Sequence, residues 1–197
     1  MNVNRFKLDL IKTLSNKIPE RITERESTCT HSSVLLPLFI KNNQYWLLFM
    51  KRANTVEHHK GEVSFPGGAV EKGDKDLEYT AKRETLEEIG VAWKDIEILG
   101  QLDDVLTITS NFIIHPFIGT VPFPYLFNIN KKEVDHLIEI PLQFFLDPSQ
   151  PSPFTITYKG DSFETPAFVY NGVIIWGATE RILENLIRLI RFNNILV

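Results

Sequence analysis

Hydrophobic and polar positions along the chain change period several times. Residues 3–15 carry Phe6, Leu8, Leu10, Ile11 and Leu14 at helical spacing, which predicts a short helix before Pro19. Residues 20–32 are polar and read as a connector. Val34 to Ile40 and Tyr45 to Arg52 are rich in β-formers around Lys41-Asn42-Asn43-Gln44, which predicts a hairpin. Val63 to Phe65 reads as a short strand, and Pro66-Gly67-Gly68 as a turn. Asp76 to Ile89 reads as a helix, with Asp74 or Asp76 as its cap and Gly90 as its stop. Ile96 to Leu102, Phe112 to Val121, Glu133 to Ile140, Phe154 to Tyr158, Ala167 to Tyr170 and Val173 to Trp176 read as strands. Leu142 to Leu146 is a short amphipathic segment. Thr179 is expected to cap a last helix reaching about Asn193. The mixture predicts an α/β or α+β layered fold.

Composition narrows the class. A chain of 197 residues suits one domain, with additions at its ends. Cys29 is the single cysteine, so an intrachain disulfide is ruled out and the thiol is expected to be idle. The net charge of -4 argues against a nucleic-acid-binding protein. It leaves room for a small phosphorylated ligand held by local cations. No apolar run approaches the ~20 residues of a membrane span, and the N-terminus lacks a signal-peptide core. The expectation is a soluble cytoplasmic protein with no membrane partner.

The predicted central helix carries the chemistry. At about 100° per residue, Glu84, Glu87 and Glu88 share one arc about 100° wide. Tyr79, Leu86 and Ile89 fall opposite, where they are expected to face the core. Like charges at these spacings repel and lie near the helix C-terminus, where the dipole disfavours anions. Helix stability gives no reason for the cluster. A divalent cation does: Mg²⁺ or Mn²⁺ prefers hard oxygen ligands and leaves room for substrate phosphates. Two adjacent glycines, Gly67 and Gly68, would allow close backbone approach to such an ion or a phosphate. Arg83 can tether a carboxylate from the preceding loop.

Together these residues resemble the Nudix box: a glycine, five residues, a Glu, seven residues, then Arg-Glu-aliphatic-x-Glu-Glu-x-Gly-aliphatic. Gly68 matches its start and Arg83-Glu84-Thr85-Leu86-Glu87-Glu88-Ile89-Gly90-Val91 its second half. Thr85 replaces the usual aliphatic residue. Asp74 stands at the first Glu position, and eight residues instead of seven separate it from Arg83. Asp74 is the chosen partner of the arginine, with Glu71 in reserve. The extra residue resembles the coenzyme A pyrophosphatase branch, as do Leu48-Phe49-Met50-Lys51-Arg52-Ala53 and His59-x-Gly61-x-x-x-Phe65-Pro66-Gly67-Gly68. Glu57, where the branch has arginine, departs from it. The resemblance continues through Leu102-Asp103, Pro116 to Gly119, Glu133-Val134, Pro141-Leu142 and Ile175 to Thr179, covering roughly residues 34–190.

The resemblance implies an α/β/α sandwich around a mixed β-sheet with a loop–helix–loop motif. Residues 1–20 would be a helical extension and residues 21–197 a single Nudix hydrolase domain. It implies Mg²⁺ or Mn²⁺ held by Glu84, Glu87, Glu88 and Gly68, with Glu84, Glu88 and Arg83 catalytic. Arg52, Gly67 and His59 would contact substrate, and Asp74 would give structural support. The implied activity is hydrolysis of coenzyme A or its acyl forms to 3′,5′-ADP and a phosphopantetheine. The alternatives are hydrolysis of another nucleoside diphosphate derivative (ADP-ribose, a dinucleotide or a nucleoside triphosphate) and a non-catalytic nucleotide sensor.

Strand alternation allows only one of Lys51 and Arg52 to face the glycine loop. The general base stays open among Glu84, Glu88, Glu57, Glu62 and Asp104. His58 and His59 are loop histidines. His115 reads as a core or edge residue, and His31 and His136 lack supporting context. The apolar stripe of the last helix (Ile182, Leu183, Leu186, Ile187, Leu189, Ile190) reads as core packing or an oligomer surface, which would allow a homodimer.

Overall fold

A computed structural model describes residues 3–26, 28–55, 59–107, 110–158 and 160–195. The expectations placed on Glu57 and His58 lie outside these residues. Helix α1 (Val3–Ser15) leads into the connector. Strands β1 (Thr30–Lys41) and β2 (Gln44–Arg52) form the expected hairpin, and Asn42 and Asn43 turn it with φ of 53° and 57°. Asparagine tolerates this left-handed backbone better than most residues. The short strands β3 (Val63–Ser64) and β4 (Gly67–Ala69) precede helix α2 (Leu77–Ile89). Next come β5 (Glu97–Gln101), β6 (Val105–Leu106), β7 (Phe112–Thr120), β8 (Val134–Pro141) and the one-turn helix α3 (Leu142–Phe145). The chain ends with β9 (Ser152–Tyr158), β10 (Asp161–Tyr170), β11 (Val173–Trp176) and helix α4 (Gly177–Phe192).

The main sheet runs β3-β2-β1-β7-β5, with β4 also pairing β1, β6 pairing β7 and β8 pairing β2. Among the described residues only the β1–β7 pairing is parallel, so the sheet is mixed. The last three strands form a separate antiparallel sheet.

Alternation along β1 explains the layering. Leu36 and Leu38 face one apolar cluster, which includes Phe6, Leu10 and Leu14 of α1 and Leu183, Leu186 and Ile187 of α4. Leu35 and Phe39 face the other, with Ala81 and Ile89 of α2. A strand stretch buried on both faces is apolar throughout, as this one is from Val34 to Phe39. Helices thus cover both faces, giving the α/β sandwich.

Two local expectations are corrected. Pro66-Gly67-Gly68 is not simply a turn: Gly67 and Gly68 open β4 and pair with Val34 and Ser33 of β1. The signal was invisible because a two-glycine strand has no alternation. Thr179 does not cap α4, which starts two residues earlier; its hydroxyl donates instead to the Val63 carbonyl at 3.1 Å. The stripe of α4 is core packing, with all six of its apolar residues buried. Among the described residues, no helix is long and apolar enough to cross a membrane.

Candidate active site

Helix α2 starts where the Asp76 side chain accepts the Tyr79 N–H at 2.7 Å, and stops where Gly90 turns left-handed at φ 74°. Between these caps its orientation differs from the expected one. Leu86 is exposed, while Ala81, Thr85, Glu88 and Ile89 are buried. The acidic arc overlaps the packing arc instead of opposing it. The cause is β4: a strand of glycines leaves room beneath the helix for carboxylates. Thr85 is enclosed without an aliphatic side chain because its hydroxyl donates to the Ala81 carbonyl at 2.7 Å.

Each glycine of β4 has a separate role. Gly67 has φ 158°, and a Cβ there would lie 2.4 Å from the Ser33 carbonyl oxygen. Its N–H donates to Glu88 Oε2 at 2.8 Å. A Cβ on Gly68 would lie 2.5 Å from the Glu84 carboxyl carbon, so the bare backbone is what lets that carboxylate approach.

Glu88 is 2 % exposed. Burial pushes its carboxyl up to about 8, the Gly67 N–H and Arg52 oppose this, and Glu84 and Glu133 reinforce it. Burial also raises Glu84, against the pull of Arg83. Arg52 Nη1 stands 3.9 Å from Glu88 Oε1, and its buried Nε lacks a hydrogen-bond partner within the described residues. The polarity of this corner therefore exceeds what the described residues satisfy.

Arg83 organises the other side. Its Nε and Nη2 donate to the two oxygens of Asp74 at 2.9 and 3.0 Å, a bidentate pair. Its Nη1 donates to Glu84 at 2.7 Å and Glu87 at 3.1 Å, and Nη2 also donates to the Ala69 carbonyl at 3.0 Å. Asp74 additionally accepts the Glu71 N–H and the Thr80 hydroxyl. The Arg83 hydrogen bonds hold its carboxyl far below the usual carboxylate range despite burial. Glu71, the reserve partner, comes only to 3.9 Å of Arg83.

The structure thus gathers Gly67, Gly68, Arg52, Asp74, Arg83, Glu84, Glu87 and Glu88 along one side of α2. His59 stands apart in the loop after β2, its Nδ1 3.0 Å from Glu62. That contact also occupies Glu62, one of the candidate bases. Asp104, another, is enclosed by Arg21, Ile22 and His115. Sequence reasoning missed Glu133: it lay in the resembling segment Glu133-Val134 but carried no chemical signal. Its charge reaches both Glu84 and Glu88.

Among the described residues, no three His, Cys, Asp or Glu side chains converge at metal-binding spacing. Glu84 and Glu87 are drawn to Arg83 and Glu88 to the Gly67 N–H. The donor set still fits a hard divalent cation: carboxylate oxygens on one helix end, and a glycine backbone whose missing side chain leaves clearance beside Glu84.

Residues 30–143 match the NUDIX domain model. The chain is 31% identical over 184 residues to Nudix hydrolase NudL of Photorhabdus laumondii, covering 93% of each chain. It is 30% identical over 186 residues to NudL of Salmonella heidelberg, covering 94% of this chain and 96% of that one. Both relatives are described as uncharacterized. Among solved structures, a MutT/nudix family protein from Enterococcus faecalis superposes with a TM-score of 0.57 at 14% identity, covering 90% of this chain and 66% of that one, a likeness of fold. The family model spans β1 to α3 and takes in the whole acid-and-glycine corner, so the chain belongs to the Nudix family and is a hydrolase of that family.

Proposed function

We propose that this Nudix hydrolase cleaves the diphosphate linkage of coenzyme A or acyl-coenzyme A, releasing 3′,5′-ADP and 4′-phosphopantetheine or its acyl form. The observation that carries the reading of this corner as catalytic is the buried Glu88 carboxylate, held by the Gly67 N–H beside Arg52 and Glu84. Coenzyme A as the substrate is supported by Arg52, by the stretch from His59 to Gly68 and by the eight-residue spacer before Arg83.

Glu84, Glu87, Glu88 and the Gly68 carbonyl would hold Mg²⁺ or Mn²⁺. When bound, such an ion neutralises crowded carboxylates and phosphate oxygens and acidifies water. The remaining work falls to side chains of this chain. Arg83 orients Glu84 and Glu87 and is itself braced by Asp74. Arg52 presents a cation to the diphosphate. The Gly67 N–H fixes the rotamer of Glu88. Glu133, on the loop before β8, joins Glu84 and Glu88 as a candidate to accept the proton of the attacking water, because its charge is felt at both. Water attacks one phosphorus, the P–O bond to the bridging oxygen breaks, and the second phosphate leaves with the electron pair.

Glu57 motivates the second reading, a different nucleoside diphosphate derivative, because it reverses the charge found in the coenzyme A branch. A panel of coenzyme A, acetyl-coenzyme A, ADP-ribose, diadenosine polyphosphates and nucleoside triphosphates at one metal concentration separates the two. The first reading expects the highest kcat/KM on coenzyme A or its thioester; faster cleavage of ADP-ribose or a dinucleotide would replace it with the second. A non-catalytic sensor would turn over nothing on the panel. The same reading places the enzyme in the cytoplasm, acting on a free small molecule and not on nucleic acid.

A further inference from the structure

The α2-facing side of the sheet holds a second polar cluster beyond the catalytic corner. Register places Gly68, Ser33 and His115 side by side across β4, β1 and β7, so Ser33 and His115 project from one face, in line with the glycine beneath Glu84. The Ser33 hydroxyl is buried and unpartnered among the described residues. His115, itself 4 % exposed, places Nε2 2.9 Å from His31 Nδ1, the two rings being nearly coplanar at 4°. On its other side, His115 Nδ1 lies 2.7 Å from Asp104 Oδ1. The far nitrogen of His31, Nε2, lies 3.3 Å from the Glu26 carbonyl oxygen.

Both ends of this chain are acceptors, and that fixes the number of protons. Asp104 is ionised: burial opposes its charge, but His115, the Ile22 N–H and Arg21 outweigh burial and hold the carboxyl below its ordinary range. A contact of 2.7 Å to a carboxylate then needs a proton on His115 Nδ1. The Glu26 carbonyl needs one on His31 Nε2. The contact between the rings needs one more. Two neutral imidazoles carry two protons between them, and two imidazolium rings would oppose two protons at the inner contact. Three protons satisfy these three contacts. Arg21 Nη1 donates to Asp104 Oδ1 at 3.0 Å and lies farther, 3.4 Å, from His115 Nδ1; a guanidinium only donates, so a protonated Nδ1 leaves the carboxylate as its acceptor.

We propose that His31 and His115 share one extra proton, balanced by Asp104, and that this proton clasps the connector at Arg21, Ile22 and Glu26 to β1 and β7, beside the glycine strand β4. The clasp reaches β4 through β1, because the His31 carbonyl accepts the Val70 N–H at 2.9 Å. Among the described residues, the charged groups in view of the pair are Asp104 and Arg21, with Glu84 over Gly68 farther along the same row. His31 and His115 are positioning residues. None of this depends on which diphosphate is cleaved.

The test counts ring protons by long-range ¹H–¹⁵N correlation at pH 7 in the metal-free protein, with His31→Gln and His115→Gln variants assigning the signals. Three protonated nitrogens are expected across the pair, with the shared one split unevenly between the inner two. A count of two or four overturns the proposal. Asp104→Asn keeps one acceptor oxygen for His115 Nδ1 but removes the balancing charge, and is expected to lower the count to two; losing the second oxygen also releases the Ile22 N–H, whose amide exchange should speed up by tenfold or more. Three protons retained in that variant would also overturn it. Should Asp104→Asn not fold, the wild-type count decides alone. Kinetics play no part in the readout, so a wrong substrate leaves this test intact.

Discussion

The backbone N–H of Gly67 donates to Glu88 Oε2 at 2.8 Å, joining the strand before α2 to its penultimate residue. The bond spans 21 residues of sequence. It lets a carboxylate sit where an aliphatic side chain would otherwise pack, and it fixes the direction in which that carboxylate meets substrate.

Glu88→Gln keeps the shape and an acceptor for Gly67 while removing the charge. Hydrolysis is expected to fall by at least a hundredfold without loss of fold. Stability should move the other way. Glu88 binds its proton more tightly folded, at about 8 against an ordinary 4.5. Its contribution is therefore fully present below about 4.5 and lost as pH rises through about 8. In metal-free protein, thermal unfolding at pH 5 and pH 9 should show a smaller Tm drop for the variant than for wild type. Equal drops would contradict the assignment.

Gly68→Ala tests the clearance under Glu84. The backbone accepts alanine, but the new Cβ would meet the carboxylate at 2.5 Å. Metal-dependent kcat/KM should fall at least tenfold, about 1.4 kcal/mol of transition-state stabilisation, while the Tm changes by only a few degrees. Unchanged kinetics would show that Glu84 works from another position.

Asp74→Asn tests the brace. Arg83 holds the Asp74 carboxyl below its usual range, so the pair stabilises the fold above the ordinary carboxylate range and weakens as pH falls. Loss of the charge should cost about 2 kcal/mol at pH 7, shrinking towards zero in acid. Urea denaturation at pH 7 and pH 3 measures the onset of that loss: the difference is smaller at pH 3 but not abolished, because the folded carboxyl titrates well below it. A pH-independent difference would assign the loss to packing instead.

Arg52→Ala should raise KM for a diphosphate substrate by tenfold or more, with a smaller effect on kcat. The motive is an Arg52 guanidinium that is only loosely paired with Glu88, at 3.9 Å, and whose buried Nε has no partner among the described residues. Steady-state kinetics decide, and an unchanged KM would place the diphosphate elsewhere.

Much of the fold could be read from the chain because its signals are local. The asparagine turn, the Asp76 cap, the Gly90 stop and the double-sided apolar run of β1 each act within a few residues. The orientation of α2 could not be read, because it depends on what lies beneath the helix. Glu88 would be expected outside on charge alone, and only the glycine strand β4 makes its burial tolerable. Pattern reading therefore put Leu86 in the core, and it is exposed. Glu133 went unnoticed for a related reason: its nearness to Glu84 and Glu88 arises from chain separated by more than forty residues. The His31–His115 contact joins two strands 84 residues apart and has no sequence pattern at all.

The most direct measurement incubates the purified protein with coenzyme A and Mg²⁺ or Mn²⁺ and identifies products by chromatography and mass, beside Glu88→Gln and a chelator control. Coenzyme A hydrolysis at this site is expected to give 3′,5′-ADP and 4′-phosphopantetheine in equal amounts, lost in the variant and with chelator. Intact coenzyme A alongside brisk cleavage of ADP-ribose or a dinucleotide would contradict the substrate, and full activity in Glu88→Gln would contradict the site.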